Sequence, residues 1–241
     1  MSLIWYILFF TVLILIFVSI IIGAISQKKI IKIFSKYSKI KTKCEIKSSE
    51  LSTILISKAE LDINIAKIDS RSSNVYNSKY KILKLTSKVY ESIAISSLAF
   101  CSHEIGDAIQ DKNNSLSYRT KKYFYPIVKV LTSLFIPFSL LGFFFKFSLD
   151  LPIVALIILI SAIVIFIACI IFYLVTYRIE NKSADLIAKI LNECDFFTED
   201  ELFGLKDVLY ELKWLYLSQL SYSLLFFLDF ISYANMKDKI S

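Results

Sequence analysis

The sequence has few charged residues for its length and few residues of several chemically useful types. Only 20% of its 241 residues are charged, 56% are hydrophobic, and it holds 4 Gly, 3 Pro, 4 Cys and a single His. An average soluble domain is about a quarter charged, so the low charge and the mean hydropathy of +0.62 call for a lipid environment. The apolar residues are also clustered into long uncharged runs. A purely soluble enzyme and a disordered chain are therefore excluded.

Cysteine and arginine are scarce in ways that exclude further classes. The four cysteines show no CxxC spacing, which argues against a disulfide framework and against a zinc knuckle. Only three of the 28 basic residues are arginine. Because base edges and phosphates are commonly bound by arginine forks, we expect no nucleic-acid partner.

Four apolar segments predict membrane spans. Residues 3–25 are 23 consecutive uncharged positions, which cover a hydrocarbon core of about 30 Å as a helix and should remain as an anchor. Residues 123–145, interrupted by Lys129, and residues 151–177 are the second and third spans. A fourth, residues 214–233, contains Asp229. We expect a mainly α membrane protein with about four transmembrane helices and a small cytoplasmic α/β domain.

The distribution of charge predicts the orientation. Residues 26–122 hold 19 Lys or Arg against 9 Asp or Glu, so the positive-inside rule places this segment in the cytoplasm and the amino terminus outside. The predicted organisation is an anchor (1–25), a cytoplasmic segment (26–122), two spans (123–177), a cytoplasmic helical segment (178–213) and a final span with a tail (214–241). The two polar segments then share one membrane face.

The cytoplasmic segments show mixed periodicity. Residues 49–66 are amphipathic with a period near 3.6 and predict a helix, and residues 91–110 predict a second, largely apolar one. Residues 79–86 predict a strand after a turn at residues 70–78. Residues 184–191 and 205–212 predict helices in an acidic segment.

The single histidine begins a short motif, His103-Glu104-Ile105-Gly106-Asp107. In an H-E-x-x-H helix, two imidazoles one turn apart bind zinc and the glutamate serves as general base. Here the spacing is kept, but the second ligand position holds a carboxylate. By itself the motif is weak evidence for a metal site, because a lone histidine on a helix is more often a packed or surface residue, and Cys101 should point away from His103.

The wider pattern resembles the YugP-like family of membrane-bound neutral zinc metallopeptidases. In that family, V-Y-N-G-R-S is followed by A-H-E-x-G-H-A-I-Q, and V-E-F-D-A-S follows the third span. Here Val89-Tyr90, Ser102 to Gln110, and Ile179 to Ala184 stand at these places, with K-D-V-L at residues 206–209 before the last span. The resemblance covers nearly the whole chain.

The resemblance implies a site and also three departures from it. It makes His103 and Glu180 zinc ligands and Glu104 the general base, with Asp107 in place of the second histidine. The acidic residue two positions after Glu180 is Lys182 here. The family's D-H-Y-D-P-like turn is replaced by residues 74–78, N-V-Y-N-S.

The exchange of an imidazole for Asp107 changes the chemistry of the centre. A divalent ion with two histidines and one glutamate has a net charge of +1, whereas one histidine and two carboxylates bring it to zero. The ion is then a weaker Lewis acid, and the donor set suits manganese or iron(II) better than zinc. Zinc remains the cofactor that the resemblance implies.

Three interpretations follow from the sequence. The first is a metallopeptidase of the bacterial cell membrane with weakened activity or altered metal preference, whose partners are the bilayer and a protein or peptide substrate. The second is a catalytically inactive relative that serves as a membrane scaffold. The third, independent of the resemblance, is a small transporter or channel component that uses Lys129 and Asp229 within the membrane.

The orientation is testable by labelling. Single cysteines placed near Lys47 and near Glu193 should both resist a membrane-impermeant thiol reagent applied outside the cell, because both segments are expected in the cytoplasm. Labelling at one position and not the other would contradict a shared face.

Overall fold

The computed structural model describes residues 2–69, 75–221, 224 and 228. The chain forms two compact units. The first is drawn from Met1–Lys28, Tyr123–Thr176 and Leu215–Ser241, and the second from Lys29–Lys122 and Tyr177–Trp214. We refer to them as the apolar unit and the polar unit.

Most of the described residues are helical. In chain order the elements are α1 (Ser2–Tyr37), α2 (Ser48–Lys58), β1 (Asn64–Ile68), β2 (Val75–Asn77), β3 (Ile82–Thr86), α3 (Ser87–Tyr90), α4 (Ile95–Lys112), α5 (Leu116–Phe147), α6 (Pro152–Asn192), α7 (Glu199–Glu211) and α8 (Trp214–Ser218), the last followed by a 3₁₀ turn at Gln219–Ser221. The expected mainly α membrane protein with a small α/β portion is confirmed.

Within the described residues, three helices are long and apolar enough to cross a membrane, namely α1, α5 and α6. They contain the first three predicted spans and extend beyond each apolar run into the charged sequence beside it. Their apolar windows are only 17% to 39% buried, so most of these side chains are left to face lipid. The fourth predicted span is described only at its start, and Asp229 lies outside the described residues.

The apolar unit is held together by close contacts between α5 and α6. The rings of Phe135 and Phe166 stack with centroids 3.9 Å apart, beside Val12 of α1. At Gly142, a Cβ atom would lie 2.6 Å from Cγ of Leu159. The two helices therefore approach each other more closely than any larger residue at position 142 would allow.

The polar unit combines a three-stranded sheet with helices. The strand order is β1-β3-β2, with β1 parallel and β2 antiparallel to β3. The central strand buries Leu83 and Leu85 completely. Helix α4 packs against both α2 and α7, and its own inner face is buried from Ile95 to Ile109.

Two local predictions in this unit are wrong. The predicted helix at 49–66 ends at Lys58; Glu60 takes a φ of 50°, and residues 64–68 pair with β3 as a strand. Helical periodicity through Ile65 is thus overridden by strand pairing. The predicted turn at 70–78 contains β2, although its residues 70–74 lie outside the described chain. The strand predicted over residues 79–86 is confirmed as β3, although it begins only at Ile82.

The predicted helices at 91–110, 184–191 and 205–212 are confirmed with shifted ends, as parts of α4, α6 and α7. Helix α7 begins with a capping box formed by Thr198 and Glu201. Glu201 is 5% exposed. It accepts hydrogen bonds from the backbone N–H of Thr198 at 2.8 Å and of Lys43 at 2.5 Å. This carboxylate fixes the start of α7 and the loop after α1 to each other.

Replacing Glu201 by glutamine should lower the free energy of unfolding by about 1–3 kcal/mol, because the amide has one oxygen where two are used, so one of the two N–H groups would face the amide NH2 and lose its acceptor. Burial raises the pKa of Glu201, but the hydrogen bonds from Thr198 and Lys43 outweigh it and lower the pKa overall. The stabilisation is therefore present above the unfolded-state pKa of about 4.3 and is lost as the pH falls through the folded-state value.

Thermal and denaturant unfolding of the full chain in detergent would measure this loss, which should shrink on acidification. The exposed Glu199 of the same helix turn offers a matched control, Glu199→Gln. Equal losses in the two variants would contradict the assignment.

Candidate metal centre

The polar unit brings together the three residues predicted to be metal ligands. His103 and Asp107 lie one turn apart on α4, and Glu180 lies on α6. One ligand atom of each lies within 4.8 Å of the others. The two polar segments of the sequence thus contribute to one cluster, as expected from their charge and order.

A glycine accounts for the close approach of the two helices. A Cβ atom at Gly106 would lie 2.9 Å from Cγ1 of Ile187 and 2.9 Å from Oγ of Ser183. Gly106 follows His103 by three residues, and Ser183 follows Glu180 by three, so each pair shares a helix face. The face of α4 that carries His103 is therefore in direct contact with the face of α6 that carries Glu180.

The cluster is largely removed from water. His103 is 5% exposed and Glu180 is 3% exposed. The imidazole Nε2 lies 3.6 Å from Oε2 of Glu180, which is close but longer than a hydrogen bond. A buried imidazole and a buried carboxylate facing each other at this distance are arranged as two ligands of one ion would be.

The side chain of Glu104, a residue of α4, is hydrogen-bonded to the edge of the sheet. Its Oε2 accepts a hydrogen bond from the backbone N–H of Tyr76, in the edge strand β2, at 2.6 Å. Burial, and secondarily the negative charge of Asp107, raise the pKa of Glu104 to about 7. The side chain predicted to be the general base is thus positioned by a backbone group.

A lysine that the sequence did not single out completes the cluster. Lys121, in the second turn of α5, is buried, and its Nζ donates to Oδ1 and Oδ2 of Asp107 at 2.6 and 2.7 Å. The same Nζ donates to Oε1 of Glu180 at 2.8 Å. We call His103, Asp107, Glu180 and Lys121 the four-residue centre.

Asp111 on α4 and Lys122 on α5 belong to a separate group of charged residues, one helical turn beyond Asp107. Asp111 accepts hydrogen bonds from the hydroxyl of Tyr76 at 2.9 Å and from Lys81 at 2.6 Å, and it lies 3.7 Å from Nζ of Lys122. The adjacent lysines 121 and 122 thus point to different carboxylates.

The remaining predicted features fall outside the cluster. Lys182 is exposed, whereas Glu180 on the same helix is buried. The Sγ of Cys101 donates to the carbonyl of Leu98 at 3.1 Å, and it does not join the other ligands. Of the altered turn, Asn74 is outside the described residues. Tyr76 donates its backbone N–H to Glu104 and its hydroxyl to Asp111, which lies outside the cluster.

The donor set fits a divalent ion in its chemistry. It supplies one imidazole nitrogen and carboxylate oxygens from two residues, which are ligand types that zinc, manganese and iron(II) all accept. The carboxylates that such an ion would use are the same ones that Lys121 contacts.

Comparison with protein families identifies the family of the chain. Residues 12–235 match the family described as "Putative neutral zinc metallopeptidase". The chain belongs to this family.

Among curated proteins, the chain is similar to "Putative membrane protease YugP" of Bacillus subtilis (strain 168). The two are 24% identical over 216 residues, which cover 89% of this chain and 92% of the relative. No solved structure matches the chain.

Proposed function

We propose that this chain is a membrane-bound metallopeptidase that hydrolyses peptide bonds weakly, with a metal preference shifted by Asp107. The observation that carries the proposal is the convergence of His103, Asp107 and Glu180 beside Glu104 in a family of zinc metallopeptidases. The substrate class is a protein or peptide.

His103, Asp107 and Glu180 would hold the ion. When bound, a divalent ion supplies Lewis acidity, which polarises a peptide carbonyl and makes water a better nucleophile at neutral pH. Two carboxylates neutralise more of that charge than one does, so the acidity is lower than in a site with two histidines. The burial of His103 and Glu180 restricts access of bulk water to the ligands.

Glu104 is suited to move the proton of the attacking water. It is adjacent in sequence to His103, and the Tyr76 N–H fixes one of its carboxylate oxygens. A carboxylate held in this way can accept a proton from water and return it to the leaving amine. Its anchoring to β2 also ties the orientation of the base to the edge of the sheet.

A second function is favoured by one specific contact. Lys121 already contacts both Asp107 and Glu180 through three short hydrogen bonds and offsets one of their two negative charges. A centre that already holds a cation depends less on a metal ion for its stability, which supports a non-catalytic membrane scaffold or interaction protein as the alternative.

The distribution of charged residues supports a membrane face for the site. The basic excess of 19 over 9 in residues 26–122 supports a cytoplasmic face for the polar unit. The similarity to a protein of Bacillus supports the cell membrane of a bacterium as its place.

Replacing Asp107 by histidine should raise zinc affinity and peptidase activity by on the order of tenfold or more, because the second imidazole restores the +1 charge of the ion and its ligands. Zinc content of the purified protein and chelator-sensitive cleavage of a casein substrate would measure both. Asp111→His, one turn further along α4 and outside the cluster, is the matched control and should change neither.

Efficient chelator-sensitive cleavage by the unchanged protein would contradict the weak-peptidase proposal. If Asp107→His gains neither zinc nor activity, the scaffold alternative is the better description.

A further inference from the structure

We propose that the Lys121 ammonium is the resident cation of the four-residue centre, and that a divalent ion binds Asp107 and Glu180 only by displacing it. The proposal rests on the metal site of the proposed function but not on hydrolysis. It assigns to Lys121 the role of setting the metal affinity of the protein.

The hydrogen-bond geometry is that of a filled cation position. An ammonium has three N–H donors, and Lys121 contacts three carboxylate oxygens, at 2.6, 2.7 and 2.8 Å. These lengths are typical of charge-assisted hydrogen bonds or slightly shorter. Asp107 contributes both of its oxygens and Glu180 one, so the ammonium joins α4 to α6.

Because the centre is largely buried, the Lys121 ammonium and a divalent ion cannot both bind Asp107 and Glu180. Lys121 is 8% exposed and Glu180 is 3% exposed. Two neighbouring carboxylates without a cation, one buried and one half-buried, are destabilising, and an ammonium and a divalent ion on the same oxygens repel each other. Binding of an ion is therefore an exchange with Lys121, and its apparent affinity is reduced by the free energy of the Lys121 contacts.

Lys122 provides a matched control. It is the next residue on α5, carries the same charge, and its Nζ lies 3.7 Å from Asp111 rather than from the centre. Lys122→Met removes one positive charge from the same helix turn and leaves the contacts of Lys121 in place. Both variants lose one positive charge, so a difference in their affinity for the ion must come from the position of Lys121.

The experiment uses the full chain in detergent, after chelator treatment. Binding of Mn²⁺ and Zn²⁺ to the wild type, Lys121→Met and Lys122→Met would be measured by titration calorimetry, and Tm would be recorded with and without each ion. Lys121→Met should bind the ions on the order of tenfold more tightly than the wild type or more. Its Tm should fall in chelator and recover with ion, whereas Tm of the wild type and Lys122→Met should scarcely respond.

Equal affinity of the wild type and Lys121→Met, or weaker binding by the variant, would overturn the proposal. If Lys121→Met cannot be obtained as a folded protein, Tm of the wild type alone tests the proposal. A large rise of its Tm at ion concentrations of about 10 μM would overturn the proposal, because it would require a site that is open to ions. The absence of such a rise supports it. Since no readout involves cleavage, a protein without peptidase activity would count against the proposed function alone.

Discussion

The polar unit depends on a cation placed between two carboxylates, Asp107 and Glu180, where two helices meet. Gly106 allows α4 and α6 to approach closely, and this approach buries Glu180 beside His103. Negative charge in such a place is tolerated only next to a cation. Lys121 supplies it from α5, so three helices are joined through one ammonium.

This constraint relates the site to the altered motif. In the H-E-x-x-H pattern of metallopeptidase helices the second ligand is an imidazole, whereas Asp107 brings a carboxylate, which is paired here with Lys121. An aspartate at this position therefore requires a cation even in the absence of metal. The contact with Lys121 satisfies that requirement, and a metal ion must break the same contact in order to bind.

The sequence was sufficient to predict the parts of the molecule that depend on local pattern. Uncharged runs identified the first three spans, and the one-turn spacing of His103 and Asp107 placed both on one helix face. The pairing with Glu180 was predicted from the resemblance to a family, since no periodicity links α4 to a residue 73 positions after Asp107.

What the sequence did not predict depends on tertiary contacts. The sequence predicts a helix at the start of strand β1, because the apolar period continues through Ile65. Only the pairing with β3 makes this segment a strand. Lys121 and Lys122 are adjacent and alike in sequence, and the packing of α5 decides which is buried. One signal was present: Tyr118, Lys121 and Val128 fall at helical spacing on the buried side of α5. A lysine on such a stripe indicates a buried partner.

Asp107 and Lys121 form one electrostatic unit in this centre. A double-mutant cycle with Asp107→Asn, Lys121→Met and the combined variant, unfolded in chelator, measures their coupling directly. We expect a coupling free energy of about 2–3 kcal/mol, with Lys121→Met alone more destabilised than the double variant, because the latter leaves one fewer buried charge without a partner. Additive effects within about 0.5 kcal/mol would contradict the claim.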